Sequence, residues 1–435
     1  MKLELANFPV KNVRFGKHTS YNNGILEMHK DELIALASED ERIASVDLDL
    51  AFPNEKTRIV LVRDAVEPRV KVSGPGCVFP GILGPVETVG EGRTHRLSGV
   101  TVMPTAEYRL TVTTGTGAAS AGLVDMWGPG ALMTPFGSTI NIVLVLKLID
   151  DVTEQGAHAA IQLAEFRVAD RLAETTRHLT PDDMEVFELS EVDSSLPRVV
   201  YILGYLTAWE DPHPAVAYYG LPILESLPTF IHPNELFDGA LTKDARKGWG
   251  NHPMTWNWMS NPVVIRLFEE HGKRLNFLGV ILQRTRFESE LGKQVTAACA
   301  SQIARLLRAD GAILTRVSPS GNNLIEVMLT VQGCERKGVK TVFITPEYGG
   351  GDGTELPLVF YVPEATAMVA TGSLEREIKL PAPTKVIGGD DTELVILQPG
   401  DPPLSIRGEV TLRSRLQMTG GLDWLGGMKV TCKEY

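Results

Sequence analysis

From about residue 140 onward the chain alternates between short aliphatic runs and longer amphipathic stretches, and this alternation limits the possible folds more than any other feature. INIVLVLKLI (140–149) reads as a strand, 153–176 as a helix with apolar positions Ile161, Leu163, Phe166, Val168 and Leu172, and LPRVVYILGYL as a second buried strand. NPVVIRLFEEHGK is the clearest helix: Asn261 can cap it, Pro262 suits its first turn, and Gly272 suits its end. Strand FLGVIL, a helix from about 290 to 308, strand GAILTRV, a helix from about 323 to 337 and strand KTVFIT then follow in order. Such βαβα succession predicts an α/β fold with a largely parallel, Rossmann-like sheet covered by helices, connected by right-handed crossovers.

Before that point the chain reads mainly as β. KLEL, VRFG, GILEMH, SVDLDLAF, TRIVLVR and YRLTVTTG are short and alternating, separated by turn signals such as Asn22-Asn23-Gly24. One helix is expected within them, from about 30 to 45, with Leu33, Ile34, Leu36 and Ile43 on its apolar side. Two Gly/Pro-rich loops surround Cys77 and Pro129. A chain of 435 residues exceeds one small core. The expected division is a mainly-β N-terminal domain at 1–139, a first α/β unit at 140–258 and a second at 259–435.

The formal charge of −12 argues against nucleic acid as a partner, because a phosphate backbone needs clustered Lys and Arg. No stretch is expected to span a membrane, since the best candidate, 140–149, is about half the required length and contains Lys147. The N-terminus alternates polar and apolar residues and lacks a signal peptide's apolar core. Cys77, Cys299, Cys334 and Cys432 lie far apart without a CxxC pair, so neither zinc nor dithiol chemistry is indicated, and a reducing cytoplasm fits best. No metal site is expected, since the acids and histidines around His213, His232 and His252 match no ligand spacing.

Ligands of parallel sheets bind beyond the carboxyl ends of the strands, which points to QRTRFESE, RVSPSGNN and TPEYGGGDGTE. Arg284 and Arg286 could hold a carboxylate through their guanidinium forks, or could join Glu288 and Glu290 in a network that orders a helix start. Asn322 could orient the same substrate. Glu347, Asp352 and Glu355 could handle a proton, or could be solvated turn carboxylates. Trp249, Trp256 and Trp258 cluster tightly enough to surround a methylated ammonium by cation–π attraction, or to anchor a core or an interface. Cys299 reads as a helix-packing residue, and Cys77, in its loop, as the better reactive candidate.

Several segments in shared order resemble the component B precursor of glycine, sarcosine and betaine reductases. They are the KLEL opening with its VRFG, then VEPRVKVSGPG, GRTHRLSGV, VDMWGP, PTFIHPNELFDGA, the NPVV…EEHGKRLNFLGVIL run and the closing segment through CKEY. The resemblance covers nearly the whole chain. It implies a subunit that cleaves itself after the DGA segment, where a cysteine becomes a pyruvoyl group that captures the substrate amine. It also implies a second, selenocysteine-bearing component B subunit, hence a hetro-oligomer. Here Asp238-Gly239-Ala240 is followed by Leu241-Thr242-Lys243-Asp244 with no cysteine, so Thr242 stands as the processing-like position. Cleavage from Thr242 would leave an oxobutanoyl group, so pyruvoyl is not expected and the cofactor is left open.

Two functions follow as expectations. The first is an unprocessed subunit of a component-B-like complex acting on a C–N bond of a small amine or amino-acid derivative. The alternative is a non-catalytic scaffold that shapes the site of a catalytic component-B-like partner.

Overall fold

The Arg198–Thr207 strand, buried along almost its whole length, is the centre of a six-stranded sheet. In this computed structural model the described residues are 1–107, 122–207, 216–244, 253–286, 288–317, 321–350, 354–355, 358–374, 377–389, 393–394, 404–412, 415 and 418–427. Across the sheet the order is Thr229–Ile231, Asn276–Arg286, Arg198–Thr207, Gly311–Arg316, Lys340–Glu347 and Met368–Ser373. All neighbours pair in parallel except Thr229–Ile231, an antiparallel edge. The five parallel strands therefore run 2-1-3-4-5 by sequence, and the chain reverses its direction of travel between Arg198–Thr207 and Gly311–Arg316. Both faces of the central strand are apolar because both are covered. Val200 and Ile202 pack with Ile281, Leu314 and the Glu290–Leu306 and Gly321–Arg336 helices. Tyr201, Leu203 and Tyr205 pack on the opposite side with Trp258, Val264 and Leu267.

The α/β expectation and its parallel sheet are borne out, and four expected helices form at Glu154–Glu174, Pro262–Glu270, Glu290–Leu306 and Gly321–Arg336. Asn261 caps the second through its side-chain oxygen, which accepts from the Val263 and Val264 amides. The helix expected over 30–45 is shorter. It ends at Ala37, and Ile43 instead opens the Ile43–Ala51 strand. Asp40 accounts for the break: its carboxylate takes the Arg42 amide at 3.0 Å and the Arg42 guanidinium, a local bond that competes with helix.

Two further sheets hold the first part of the chain. One is ordered Asp183–Glu188, Lys2–Pro9, Gly92–Ser98, Arg69–Ser73. The other is ordered Gly122–Asp125, Thr57–Val62, Val100–Glu107, Ile140–Leu148, Ile43–Ala51. The Glu154–Glu174 helix joins a core that includes Phe8, Leu97, Val102, Ile142 and Leu144. YRLTVTTG lies outside the described residues.

Candidate functional site

From Pro233 to Asp244 the processing-like segment is deeply buried. It runs from the Thr229–Ile231 strand through a short helix, Asn234–Phe237, and the Asp238-Gly239-Ala240 turn into the Leu241–Lys243 strand. The Asp238 carboxylate accepts from Lys71 Nζ at 2.5 Å, Gly90 N at 2.8 Å and Thr94 Oγ1 at 2.5 Å. Arg69, itself paired with Glu67, donates to the Phe237 carbonyl at 2.7 Å. Glu235 accepts from the Tyr218 and Tyr219 hydroxyls at 2.6 and 2.9 Å. Charged groups this far from water persist only when paired, and these are. Gly239 has φ +73°, a backbone region that favours glycine, and lies close against the Phe79 ring.

Thr242 sits opposite Ala217 in the antiparallel pair formed with Val216–Tyr218. Its hydroxyl is buried and has no hydrogen-bond partner. The next residue, Lys243, is equally buried. Its ammonium donates to the Arg63 carbonyl at 2.7 Å and touches Met254 Sδ at 3.4 Å. Burial pulls its pKa down to about 8, opposed by Asp64. Asp64 accepts from the Thr255 amide and hydroxyl at 2.8 and 2.6 Å, and the Thr255 hydroxyl in turn accepts the Lys243 amide at 3.0 Å. Along the Glu154–Glu174 helix, one face follows this strand at i, i+4, i+7 spacing. His158 meets Asp244 at 3.2 Å, Gln162 donates to the Lys243 carbonyl at 2.9 Å, and Glu165 lies buried with neither carboxyl oxygen hydrogen-bonded. Burial, reinforced by Asp64 and opposed by Lys243, holds the Glu165 pKa well above the ordinary carboxyl range. Burial therefore favours the protonated form of Glu165.

Lys243, Glu165 and Asp64 were not among the sequence-derived candidates. Glu165 left a trace, since it interrupts the apolar stripe Ile161, Val168, Leu172 at helical spacing.

The arginine candidates stand elsewhere, on the carboxyl end of the parallel sheet. The strand runs through Arg286, so QRTR is strand rather than loop. Arg284 is buried and donates to Ser226 O at 3.0 Å and Glu288 Oε1 at 2.7 Å, while Arg286 pairs with Glu225. The Arg286 amide reaches Glu326 at 3.0 Å, a buried carboxylate pushed up to about 7 by burial against the pull of that amide, Lys293 and Arg284. Asn322 is exposed at the start of its helix, whereas its neighbour Asn323 is buried and donates to Thr285 Oγ1 at 3.3 Å. Glu347 ends its strand half-buried, and Glu355 is exposed. Trp249, Asp352, His213, His252 and Cys432 lie outside the described residues.

Cys77 is half-buried, and burial together with Asp170 and Asp238 pushes its thiol up, away from the reactive thiolate. Trp258 belongs to the core. Trp256 instead lines a cavity of about 120 Å³ together with Asn257, Ser260, Pro262, Asp423 and Trp424. The Thr255–Met259 helix thus presents Thr255 to Asp64 and the next two residues to the cavity. Among the described residues no group of three or more His, Cys, Asp or Glu could hold a metal ion. Among them, too, no helix is long and apolar enough to cross a membrane.

Comparison with known proteins covers nearly the whole chain. Residues 1–433 match the family of glycine/sarcosine/betaine reductase component B subunits. The glycine reductase complex component B subunits alpha and beta of Acetoanaerobium sticklandii are 34% identical over 442 residues, covering 100% of both chains. Their counterpart from Peptoclostridium acidaminophilum is 33% identical over the same full extent. The sarcosine reductase complex component B subunit alpha of that organism is 33% identical, with 89% of each chain covered. No solved structure matches.

Proposed function

Because the chain belongs to the glycine/sarcosine/betaine reductase component B subunits, we propose that it serves as an intact, pyruvoyl-free subunit of a component-B-like complex acting on a C–N bond of a small amine or amino-acid derivative. Its partner in this reading is a second component-B-like subunit, so the assembly is a hetero-oligomer.

The carrying observation is the state of Thr242. An acyl shift at this position needs a thiol, or a hydroxyl with a base in hydrogen-bond reach. Thr242 Oγ1 has no hydrogen-bond partner, burial favours the protonated form of Glu165, and Asp64 is engaged by Thr255. These residues do not fit formation of a pyruvoyl group. What the surroundings can do is hold a closed, charge-balanced segment in place while the substrate is bound elsewhere on the chain.

The alternative, a scaffold for a catalytic partner, draws on the arginines. Arg284 spends its donors on Glu288 and Ser226, and Arg286 pairs with Glu225, which suits ordering of the sheet edge as well as substrate holding. Reconstitution separates the two. Arg284→Ala that assembles with the partner but loses activity supports substrate holding, and unchanged activity removes that role.

The test of intactness is the denatured mass of chain purified from its own host, before and after borohydride. The expected result is one species near 47.5 kDa that borohydride leaves unchanged. Two fragments dividing near residue 241, one with a reducible carbonyl, would overturn the reading.

A further inference from the structure

We propose that the outward face of the Glu290–Leu306 helix joins two copies of this chain, the helix pairing antiparallel with itself about a two-fold axis that passes between Ala298 and Cys299. Self-association by this face is independent of the subunit reading.

The face is apolar and uncovered. Leu291, Val295 and Leu306 are 70, 48 and 71% exposed. With Ala298 and Gln302 between them they recur at i, i+4, i+7, i+11 and i+15, which is one stripe of a helix. The buried residues Thr296, Ala300 and Ala304 lie on the opposite side, so the stripe points away from the sheet. Half-buried Ile325 and Leu329 of the adjacent Gly321–Arg336 helix widen it. Exposed apolar residues scattered singly need no explanation, but three large aliphatic side chains in line on the outer side of one helix mark an interaction surface.

Charge selects the occupant. Glu290, at the start of the stripe, is exposed, and so are Arg305 and Arg308 at its end. The stripe carries negative charge at one end and positive charge at the other, so it is complementary to itself when turned end for end. In an isologous pair each such contact is made twice. Setting Leu291 against the second copy's Leu306 places the axis midway, between positions 298 and 299. At a rise of about 1.5 Å per residue, Glu290 is then level with a point between the second copy's Arg305 and Arg308. At about 100° per residue these three charges share one flank of the stripe, and the two-fold axis brings that flank against its own copy.

The middle of the stripe suits the same register. Ala298 lets two helices approach to about 8 Å, the close end of the usual interaxial range. Val295 packs on the aliphatic part of the second copy's Gln302. Cys299, half-buried and carrying a free thiol, meets its own counterpart with an offset of about 1.5 Å along the helix.

Sedimentation velocity of the purified full chain tests the proposal. The expected result is a reversible dimer of twice 47.5 kDa, which Val295→Glu converts to a monomer with an unchanged melting temperature. Bismaleimidoethane, a short thiol cross-linker, should join the wild type into dimers on a denaturing gel, and Cys299→Ser should abolish that product. Glu290→Arg alone should weaken dimerisation tenfold or more, because it faces the second copy's arginines. Adding Arg305→Glu and Arg308→Glu should return the affinity to within a few-fold, a rescue specific to the end-for-end register. A monomer at every concentration, a dimer that survives Val295→Glu, a charge reversal that is not rescued, or a cross-link that is absent or independent of Cys299 overturns the proposal. So does a chain that is monomeric alone and loses its component-B-like partner on Val295→Glu, since the face would then belong to that partner. A dimer of this kind that never takes up the partner leaves the inference standing and sinks the subunit reading alone.

Discussion

The carboxylate of Asp64 receives both the amide and the hydroxyl of Thr255, at 2.8 and 2.6 Å, across 191 positions of sequence. That pair fastens the Thr255–Met259 helix to the loop after Thr57–Val62. Because the same hydroxyl accepts the Lys243 amide, one threonine ties the processing-like strand to the helix that lines the tryptophan cavity.

Thr255→Val should therefore be costly despite its matching shape. It removes a donor from a buried carboxylate and an acceptor from a buried amide. Each unsatisfied group of this kind costs about 1–3 kcal/mol, more for a charged one. Urea denaturation should show a loss of about 2–5 kcal/mol on that scale. A loss below about 1 kcal/mol would mean that Asp64 does not depend on Thr255.

Glu165→Gln should change how stability depends on pH. Folded Glu165 keeps its proton to a higher pH than the unfolded chain, whose carboxyl titrates near 4.5. Above that pH the folded state binds the extra proton, so stability from this group falls as pH rises, by up to about 1.4 kcal/mol per unit. Gln does not titrate. Melting temperatures measured upward from pH 5 should show the variant gaining on the wild type as pH rises, and parallel curves would refute a raised folded pKa at Glu165.

Lys243 has the opposite sign. Its folded pKa, down at about 8, lies below the ordinary 10.5, so the unfolded chain binds more protons between those values. Stability from Lys243 therefore rises as pH climbs from about 8 toward 10.5. Lys243→Met should remove that rise in urea denaturation series at pH 8 to 10. A series as steep as the wild type's would place the lysine in water rather than in the core.

These charges mark the boundary of what the sequence discloses. The parallel sheet was legible because the Arg198–Thr207, Asn276–Arg286 and Gly311–Arg316 strands are apolar runs between amphipathic helices, a pattern that depends on local order alone. Glu165 was legible in principle, as a carboxylate in the stripe of Ile161, Val168 and Leu172. Lys243 and Asp64 were not. Both look like solvated loop charges until pairings across 180 or more positions enclose them, and no local pattern encodes that. The 30–45 helix failed for a local reason, because Asp40 and Arg42 bond to each other. The cavity beside Trp256 was only half visible, since its other wall comes from Asp423 and Trp424 near the far end of the chain.

Thr242→Val should stabilise the fold modestly. The hydroxyl is buried without a partner, and its removal by an isosteric methyl relieves about 1–2 kcal/mol of desolvation. Under the intact-chain reading, neither protein yields fragments in a denatured mass spectrum. A wild type that cleaves and a variant that does not would identify Thr242 as a working nucleophile.

Gly239→Ala tests whether the DGA turn is kept for shape. At φ +73° an alanine is strained by about 1–2 kcal/mol, and its Cβ would meet the Phe79 ring at 2.6 Å. Overpacking adds roughly 1–3 kcal/mol, so the variant should lose about 2–5 kcal/mol. The two contributions separate on a second background. Phe79→Leu removes the ring that blocks the methyl, so adding Gly239→Ala to it should cost only the backbone share. If the alanine costs the same in both backgrounds, the ring is not the obstacle. If it costs nothing in either, the turn is held not by glycine's freedom but by Asp238 alone, through Lys71, Gly90 and Thr94.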